Sequence, residues 1–327
     1  MTRGSFHLFP SFVIPAKAGI QGCRSEPVAL DPGFRRGDGS KGRPRMKWRR
    51  IIPPVLTYTA VIVLVVSTVA PLLWLFIMSI SSTPELTAVP LHWIPHQADF
   101  SRYGRLLTFA AHSAGEEFIL AMRNSLTASF SATAVALLVG IPAAYSFSRM
   151  PGKRMKLLYA VLGTYMMPPV ALILPLYMVF GALGLLNTVA ALTIVYCTIL
   201  LPFVTWLLKS NFDAVPIEIE EAARIDGVGL FGVLRHVTLP IAKAGLGTAA
   251  LFAVLLAWDE FFYALLYTND LRAKTLPVAI ADFAAGRATD YGIISAAGIL
   301  TAVPALVIAF FLQKTLIAGL SAGGVKG

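Results

Sequence analysis

Apolar and charged positions are strongly segregated along this chain. No Asp, Glu, Lys or Arg occurs from Ile51 to Pro84, from Asn124 to Ser148, from Leu157 to Leu208, or from Tyr291 to Gln313. A helix crossing the hydrocarbon core of a bilayer needs roughly 20 apolar residues, and each run reaches that length. Leu157 to Leu208 is long enough for two crossings, with Gly181-Ala182-Leu183-Gly184-Leu185-Leu186-Asn187 as the turn between them. Gly245 to Tyr267 supplies one more. The pattern predicts an all-α polytopic membrane protein of six transmembrane helices. They run from about Pro54 to Ile80, from an Asn124-Ser125 N-cap to Phe147, through the segment holding Met166 to Pro175, from Thr188 to Leu208, from Gly245 to Tyr267, and from Tyr291 to Phe311.

Two places inside these spans break the apolar pattern. Met166-Met167-Pro168-Pro169 and Pro175 put prolines at membrane depth. Such residues are tolerated where the freed backbone groups find a partner inside the protein or face a watery cavity. Tyr165, Met167 and Pro168, with Tyr196 as a polar point on the fourth helix, are therefore candidates to line a route. An ordinary packed kink is the other reading. The fifth helix ends in Trp258-Asp259-Glu260-Phe261-Phe262-Tyr263. Carboxylates in an apolar helix are costly and suggest function. Counted from Gly245, Asp259 lies roughly 20 Å along the helix, among aromatics that resemble an interfacial belt. A pathway or gate contact and an interfacial, structural role both stay open for Asp259 and Glu260.

The charged loop 209–243, between the fourth and fifth helices, has a pattern of its own. Pro216 fits a first helical turn, and Glu218, Glu220 and Glu221 stand where the positive end of a helix dipole favours anions. Ile217, Ile219 and Ile225 supply apolar contact, while Ala222 and Ala223 leave a shallow surface. Gly227 suits the left-handed conformation that ends a helix. Val228 to Leu239 then reads as a second short helix stopped by Pro240. The spacing Glu221-Ala222-Ala223, three residues (Arg224 to Asp226), Gly227, then Val237-Thr238-Leu239-Pro240 resembles the cytoplasmic loop of ABC importer permeases. The wording from Pro216 to Gly227, with Trp258 to Phe261 and Thr275-Leu276-Pro277-Val278-Ala279-Ile280, resembles the carbohydrate-uptake branch of that family. Asp259 stands where many relatives carry Asn.

Composition sharpens the picture. Hydrophobic residues make up 57% of the chain and charged residues 13%, outside the range of soluble domains. The net charge of +10 would suggest nucleic acid in a soluble protein. Here residues 1–45 carry eight Lys/Arg against three Asp/Glu, half of that excess. The rest concentrates before the first helix (Arg49, Arg50) and between the second and third (Arg149, Lys153, Arg154, Lys156). This is the positive-inside pattern, and it places both termini and the 209–243 loop in the cytoplasm. Nucleic acid is thereby not expected as a partner. Cys23 and Cys197 form no framework, and His7, His92, His96, His112 and His236 show no ligand spacing, so no metal site is expected.

Residues 1–45 read differently from the remainder. Val13-Ile14-Pro15-Ala16-Lys17-Ala18-Gly19-Ile20-Gln21 and Leu30-Asp31-Pro32-Gly33-Phe34-Arg35-Arg36-Gly37-Asp38 resemble a translated intergenic repeat. Met46-Lys47-Trp48-Arg49-Arg50 reads as a natural start, and the stretch before it as non-native; a disordered basic extension is the alternative. The expected organisation is then 46–118 for the first helix and a periplasmic segment, 119–313 for the core transmembrane domain, and 314–327 for a tail.

The resemblance implies a type-1 ABC importer permease fold and a specific assembly. The partners would be a second permease, two ATPase subunits, an extracytoplasmic sugar-binding protein and the bilayer of a bacterial cytoplasmic membrane. With no GxxxxGK[ST] phosphate loop, the chain is read as a transport subunit without catalytic residues or cofactor, ATP being held by the partners. Glu221, Ala222, Ala223, Arg224, Asp226, Gly227, Leu239 and Pro240 would couple to the ATPase, and Gly323, Gly324 and Lys326 of the tail would touch it. An ion-coupled secondary transporter, or a permease for something other than sugar, is the competing class. Midplane ionisable groups would mark the former; the first four helices and the sixth offer none, and the patterned charge sits in the 209–243 loop instead.

Overall fold

Helix α1 (Pro54–Ile80) is apolar throughout, and none of the residues in its spanning window is buried. It is fixed at its far end. There Trp74 lies 5.1 Å from Trp93, and the Ser79 hydroxyl is 2.6 Å from the Tyr103 hydroxyl. The computed structural model describes residues 54–89, 93–150, 152–285 and 290–324, and Tyr58–Gly327 forms one compact unit. The expected extension 1–45 lies outside the described residues.

Between α1 and the next long helix stand two short ones, α2 (Thr83–Leu86) and α3 (Ser101–Leu107). Arg102 on α3 is only 3% exposed. Its guanidinium donates to the Ser81 carbonyl and to the Thr83 hydroxyl (2.9 Å), and pairs with Asp290 at 3.3 Å. A buried charge needs this kind of pairing and hydrogen bonding. One side chain thus ties the end of α1 to the start of the last helix.

Helix α4 runs Ala114–Arg149 and starts ahead of the Asn124-Ser125 cap that the sequence suggests. The cap is Ser113, whose hydroxyl accepts from the Glu116 N–H, while the Glu116 carboxylate accepts from the His112 N–H at 2.6 Å. With Glu116 and Glu117 in the first turn favoured by the helix dipole, the helix begins in the polar segment rather than at the membrane edge. Asn124 and Ser125 serve the interior instead. Asn124 donates to the carbonyls of Leu271 and Lys274, and the Ser125 hydroxyl accepts from the Leu276 N–H, fastening the start of α13 (Leu276–Ala285) onto α4.

Ala128, Ala132, Ala136, Gly140 and Ala144 recur every four residues, giving α4 one small-residue face. Small residues let membrane helices approach closely, and α7 (Val189–Asp213) uses that face. A Cβ at Gly140 would meet Val204 at 3.0 Å. Leu192, Val195, Tyr196, Leu200 and Val204 of α7 are all buried there.

The third span is broken, not merely kinked. Helices α5 (Lys153–Tyr165) and α6 (Pro169–Ala182) meet at 91°. Pro168 and Pro169 both lack an N–H and fix φ, so the first ends the ladder and the second opens a new one. The loop after α7 holds α8 (Ile217–Ile225), α9 (Leu230–Val233), a π-helix (Leu234–Thr238) and α10 (Leu239–Ile241). Pro240 does not stop this run as expected. The π pairing from the Leu239 N–H to the Leu234 carbonyl shifts the ladder just before it, and the helix breaks only at Ala242, with an 83° bend into α11 (Lys243–Trp258). The fifth span is itself interrupted after Trp258, resuming as α12 (Phe262–Tyr267).

Helix α14 (Tyr291–Gly324) is longer than the Tyr291–Phe311 expected. Lys314 to Ala318 contains no breaker, and a single Gly costs a helix only about 1 kcal/mol. Among the described residues four helices are long and apolar enough to cross a bilayer, and counting each bent pair as one crossing gives the expected six.

Candidate functional site

The loop after α7 presents a surface built on a well-terminated helix. Pro216 occupies the N-cap position of α8 with extended ψ, and Glu218 and Glu220 fall in the first turn. At the other end the Val228 N–H reaches the Ala223 carbonyl and the Gly227 N–H the Arg224 carbonyl, both at 3.0 Å. This is the Schellman arrangement, which needs a left-handed residue after the cap. Gly227 supplies it at φ +84°. Glu221, Ala222, Arg224, Asp226, Gly227 and Pro240 are exposed, and Ala223 and Leu239 half-buried. Apolar side chains stand among them: Ile225 is 86% exposed and Phe231 73%.

Beneath that surface is a feature the sequence did not single out. Glu220, 1% exposed, receives four hydrogen bonds from three side chains. Arg149 at the end of α4 donates through Nε to Oε2 at 2.9 Å and through Nη2 to Oε1 at 2.8 Å. The Tyr145 hydroxyl, one turn earlier, donates to Oε2 at 2.9 Å, and the Thr238 hydroxyl of the π-helix to Oε1 at 2.8 Å. Arg149 also holds the Val215 carbonyl at 3.1 Å. Burial alone would raise the Glu220 carboxyl. The hydrogen bonds from Arg149, Thr238 and Tyr145 outweigh it and hold the group below the usual glutamate range. Removing one partner of such a buried pair costs about 3–5 kcal/mol, whereas removing both can be neutral.

No local signal distinguishes Glu220 from Glu218 and Glu221, which share its helix and chemistry. Arg149 looked like one more cytosolic charge. Only packing across 71 positions of sequence pairs them.

At the break of the third span lies a cavity of about 620 Å³. Thr164, Tyr165 and Met167 line one side, Cys197 and Thr198 of α7 another, and Tyr263 of α12 a third. Of the expected route residues, Tyr165 and Met167 are thus brought together. Pro168 caps α6. Tyr196 is 2% exposed in the α4–α7 core and lies outside the cavity lining. Its hydroxyl faces Glu260 without a hydrogen bond of ordinary geometry.

Asp259 is exposed at the end of α11. The Glu260 carboxylate accepts from the N–H groups of Tyr263 (2.9 Å) and Ala264 (3.2 Å), opening α12. These two bonds make Glu260 the acceptor that opens α12. It orients Tyr263, whose ring stacks on Tyr267 at 5.9 Å, while the Tyr267 hydroxyl donates to the Ile173 carbonyl of α6. Gly323 and Gly324 end α14, and Lys326 lies outside the described residues.

The chain's similarities to known proteins fit this architecture. Residues 136–321 match the family model described as "Binding-protein-dependent transport system inner membrane component". The sulfoquinovosyl glycerol transport system permease protein SmoH of Agrobacterium fabrum is 33% identical over 83% of this chain and 94% of its own length. The trehalose transport system permease protein SugB of Mycobacterium tuberculosis is 34% identical over 79% of this chain and 92% of its own. In fold, the chain resembles one from a bacterial ABC transporter involved in import of the acidic polysaccharide alginate, with a TM-score of 0.67 and 21% identity over 82% of this chain and 97% of that one. The expected type-1 importer permease fold is the fold present. The chain belongs to the family of inner membrane components of binding-protein-dependent transport systems, the permease subunits of ABC importers.

Proposed function

We propose that this chain forms half of the pathway by which an ATP-driven importer carries a sugar or polyol across the bacterial cytoplasmic membrane, both termini lying in the cytoplasm. The cavity at the broken third span carries this reading. Its wall is mostly apolar (Val161, Leu172, Ile199, Leu201), with the rings of Tyr165 and Tyr263 and the hydroxyls of Thr164 and Thr198 set into it, which gives the C–H faces of a sugar a surface and its hydroxyls a few partners. Relatives named for sulfoquinovosyl glycerol, trehalose and diacetylchitobiose support the same substrate class.

The exposed face of α8 and α9, with Glu221 to Gly227, Ile225 and Phe231, is the docking surface for an ATPase subunit. A second permease, a second ATPase and an extracytoplasmic binding protein complete the assembly. Gly323, Gly324 and Lys326 would extend the contact to the ATPases. Vesicles carrying the complete importer test the reading directly. Uptake from a panel of labelled sugars should require ATP and fall at least tenfold in Tyr165→Ala. Uptake driven by an ion gradient without ATP would reject it.

A further inference from the structure

The Glu220 carboxylate joins α8 to two elements that lead by separate routes to the same cavity. Arg149 and Tyr145 belong to the last turns of α4. From there the chain passes Gly152, at φ +88°, into α5, whose Thr164 and Tyr165 line the cavity. Thr238 belongs to the π-helix, which leads through the bend at Ala242 into α11 and on to α12, whose Tyr263 lines the opposite side. Glu220 itself sits on α8, directly beneath the exposed face. π-Segments within helices recur at functional positions because their shifted ladder has more than one local arrangement. Here the shifted segment is held by the same carboxylate that holds α4.

We propose that Glu220 is the positioning residue that turns a displacement of α8 into a displacement of both walls of the cavity. It does so from the interior. The residue is buried, whereas Glu221 beside it is exposed. Without Glu220, α8 would lose its bonds from Arg149, Tyr145 and Thr238 together, and its hold on the spans would rest on the chain at 214–216 and 226–229 and on packing against α9 and the π-helix. It could then move with an ATPase while the spans stayed behind. The proposal rests on the reading of α8 as the docking helix, and the two fail differently.

The experiment uses the whole complex, isolated from membranes through a tag on this chain. A reporter thiol is placed at the cavity by Thr164→Cys, in a background lacking Cys23 and Cys197. Its reaction with N-ethylmaleimide is timed with and without ATP plus vanadate. Two variants are compared: Glu220→Gln, which keeps the shape but replaces one accepting oxygen with an NH2 that cannot accept from Arg149, and the double change Arg149→Met with Glu220→Leu, which leaves no unpaired buried charge. Both should retain the ATPase subunits and hydrolyse ATP within twofold of the parent. Both should lose at least fivefold of the nucleotide-dependent change in labelling rate. An unchanged labelling response in either variant overturns the proposal. So does loss of the ATPase subunits in both, which would make the pair part of the docking platform. Retention of the ATPase by Ala223→Asp would instead overturn the docking reading.

Discussion

Gly292, at the start of α14, lies directly against the buried guanidinium of Arg102: a Cβ at 292 would stand 2.1 Å from the Arg102 Cζ. Arg102 is enclosed by the Ser81 carbonyl, the Thr83 hydroxyl and Asp290, so it has little room to retreat. Gly292→Ala should therefore displace the arginine from the end of α1. Overpacking of this kind costs typically 1–3 kcal/mol. The expected outcome is a lowered unfolding temperature of the detergent-solubilised protein, with α1 becoming more open to proteolysis. An unaltered melting curve would show that the arginine can be rehoused.

Gly227 tests the opposite situation, conformation without crowding. Nothing lies within 4 Å of a Cβ built there, but φ is +84°. Gly227→Val should leave insertion intact and strain the helix end by roughly 1 kcal/mol or more, turning Val228 and Phe231 out of register with α8. Copurification of the ATPase should fall, as it should for Ala223→Asp, which sets an unpaired charge in an apolar contact. Wild-type recovery of the ATPase by both would remove the loop from the docking surface.

The segment between α1 and α3 carries an acid clamp. The Glu85 carboxylate accepts from the His96 N–H at 2.9 Å, lies 2.9 Å from the His96 ring nitrogen, and accepts from the Ser82 N–H at 3.2 Å. Those bonds, first that from the His96 backbone, hold its pKa down to about 2 against an ordinary 4.5. A carboxyl depressed on folding gives stability that is present above its unfolded pKa and is lost as pH falls through the folded one. Pepsin cleavage within 81–100 should accordingly be slow at pH 4.5 and rise toward pH 2. In Glu85→Gln the rate of that cleavage, taken relative to an unfolded reference peptide at each pH, should no longer change with pH.

Much of this was legible from the chain and some was not, for physical reasons that differ by residue. The spans are visible because the bilayer demands uninterrupted apolar length. Gly227 is visible because so few residues tolerate a positive φ, and an irregularity at Pro168-Pro169 because two N–H groups are missing there, although the sequence left open whether it was a packed kink and not the right-angled break that is present. Asn124-Ser125 misled because a cap and a buried polar bridge use the same residue types. Only the position of Ser113, with Glu116 three residues on, settles which is which. Glu220 was hidden for a stronger reason. Its role is made by partners on α4 and the π-helix, and local pattern carries no trace of tertiary pairing.

The tail offers a further test. Helix α14 continues through Gly324, past the apolar span that ends at Gln313. Deleting residues 319–327 should reduce ATPase stimulation or assembly while leaving expression of this subunit unchanged. Full-rate hydrolysis and transport by the truncated complex would reduce the last turns to a helix end without a partner.

The right-angled break between α5 and α6 also has a consequence for biosynthesis. Helix α6, at 14 residues, is too short to span on its own, so the ribosome delivers Leu157 to Ala182 to the membrane as one apolar piece. A contact that fastens α6 in its turned position comes from the Tyr267 hydroxyl to the Ile173 carbonyl, 94 residues later in the chain. At synthesis rates of about 5–20 residues per second, that fastening arrives roughly 5–20 s after the segment itself. The third crossing must therefore enter the bilayer before that fastening exists, and acquire it only when the fifth has been made.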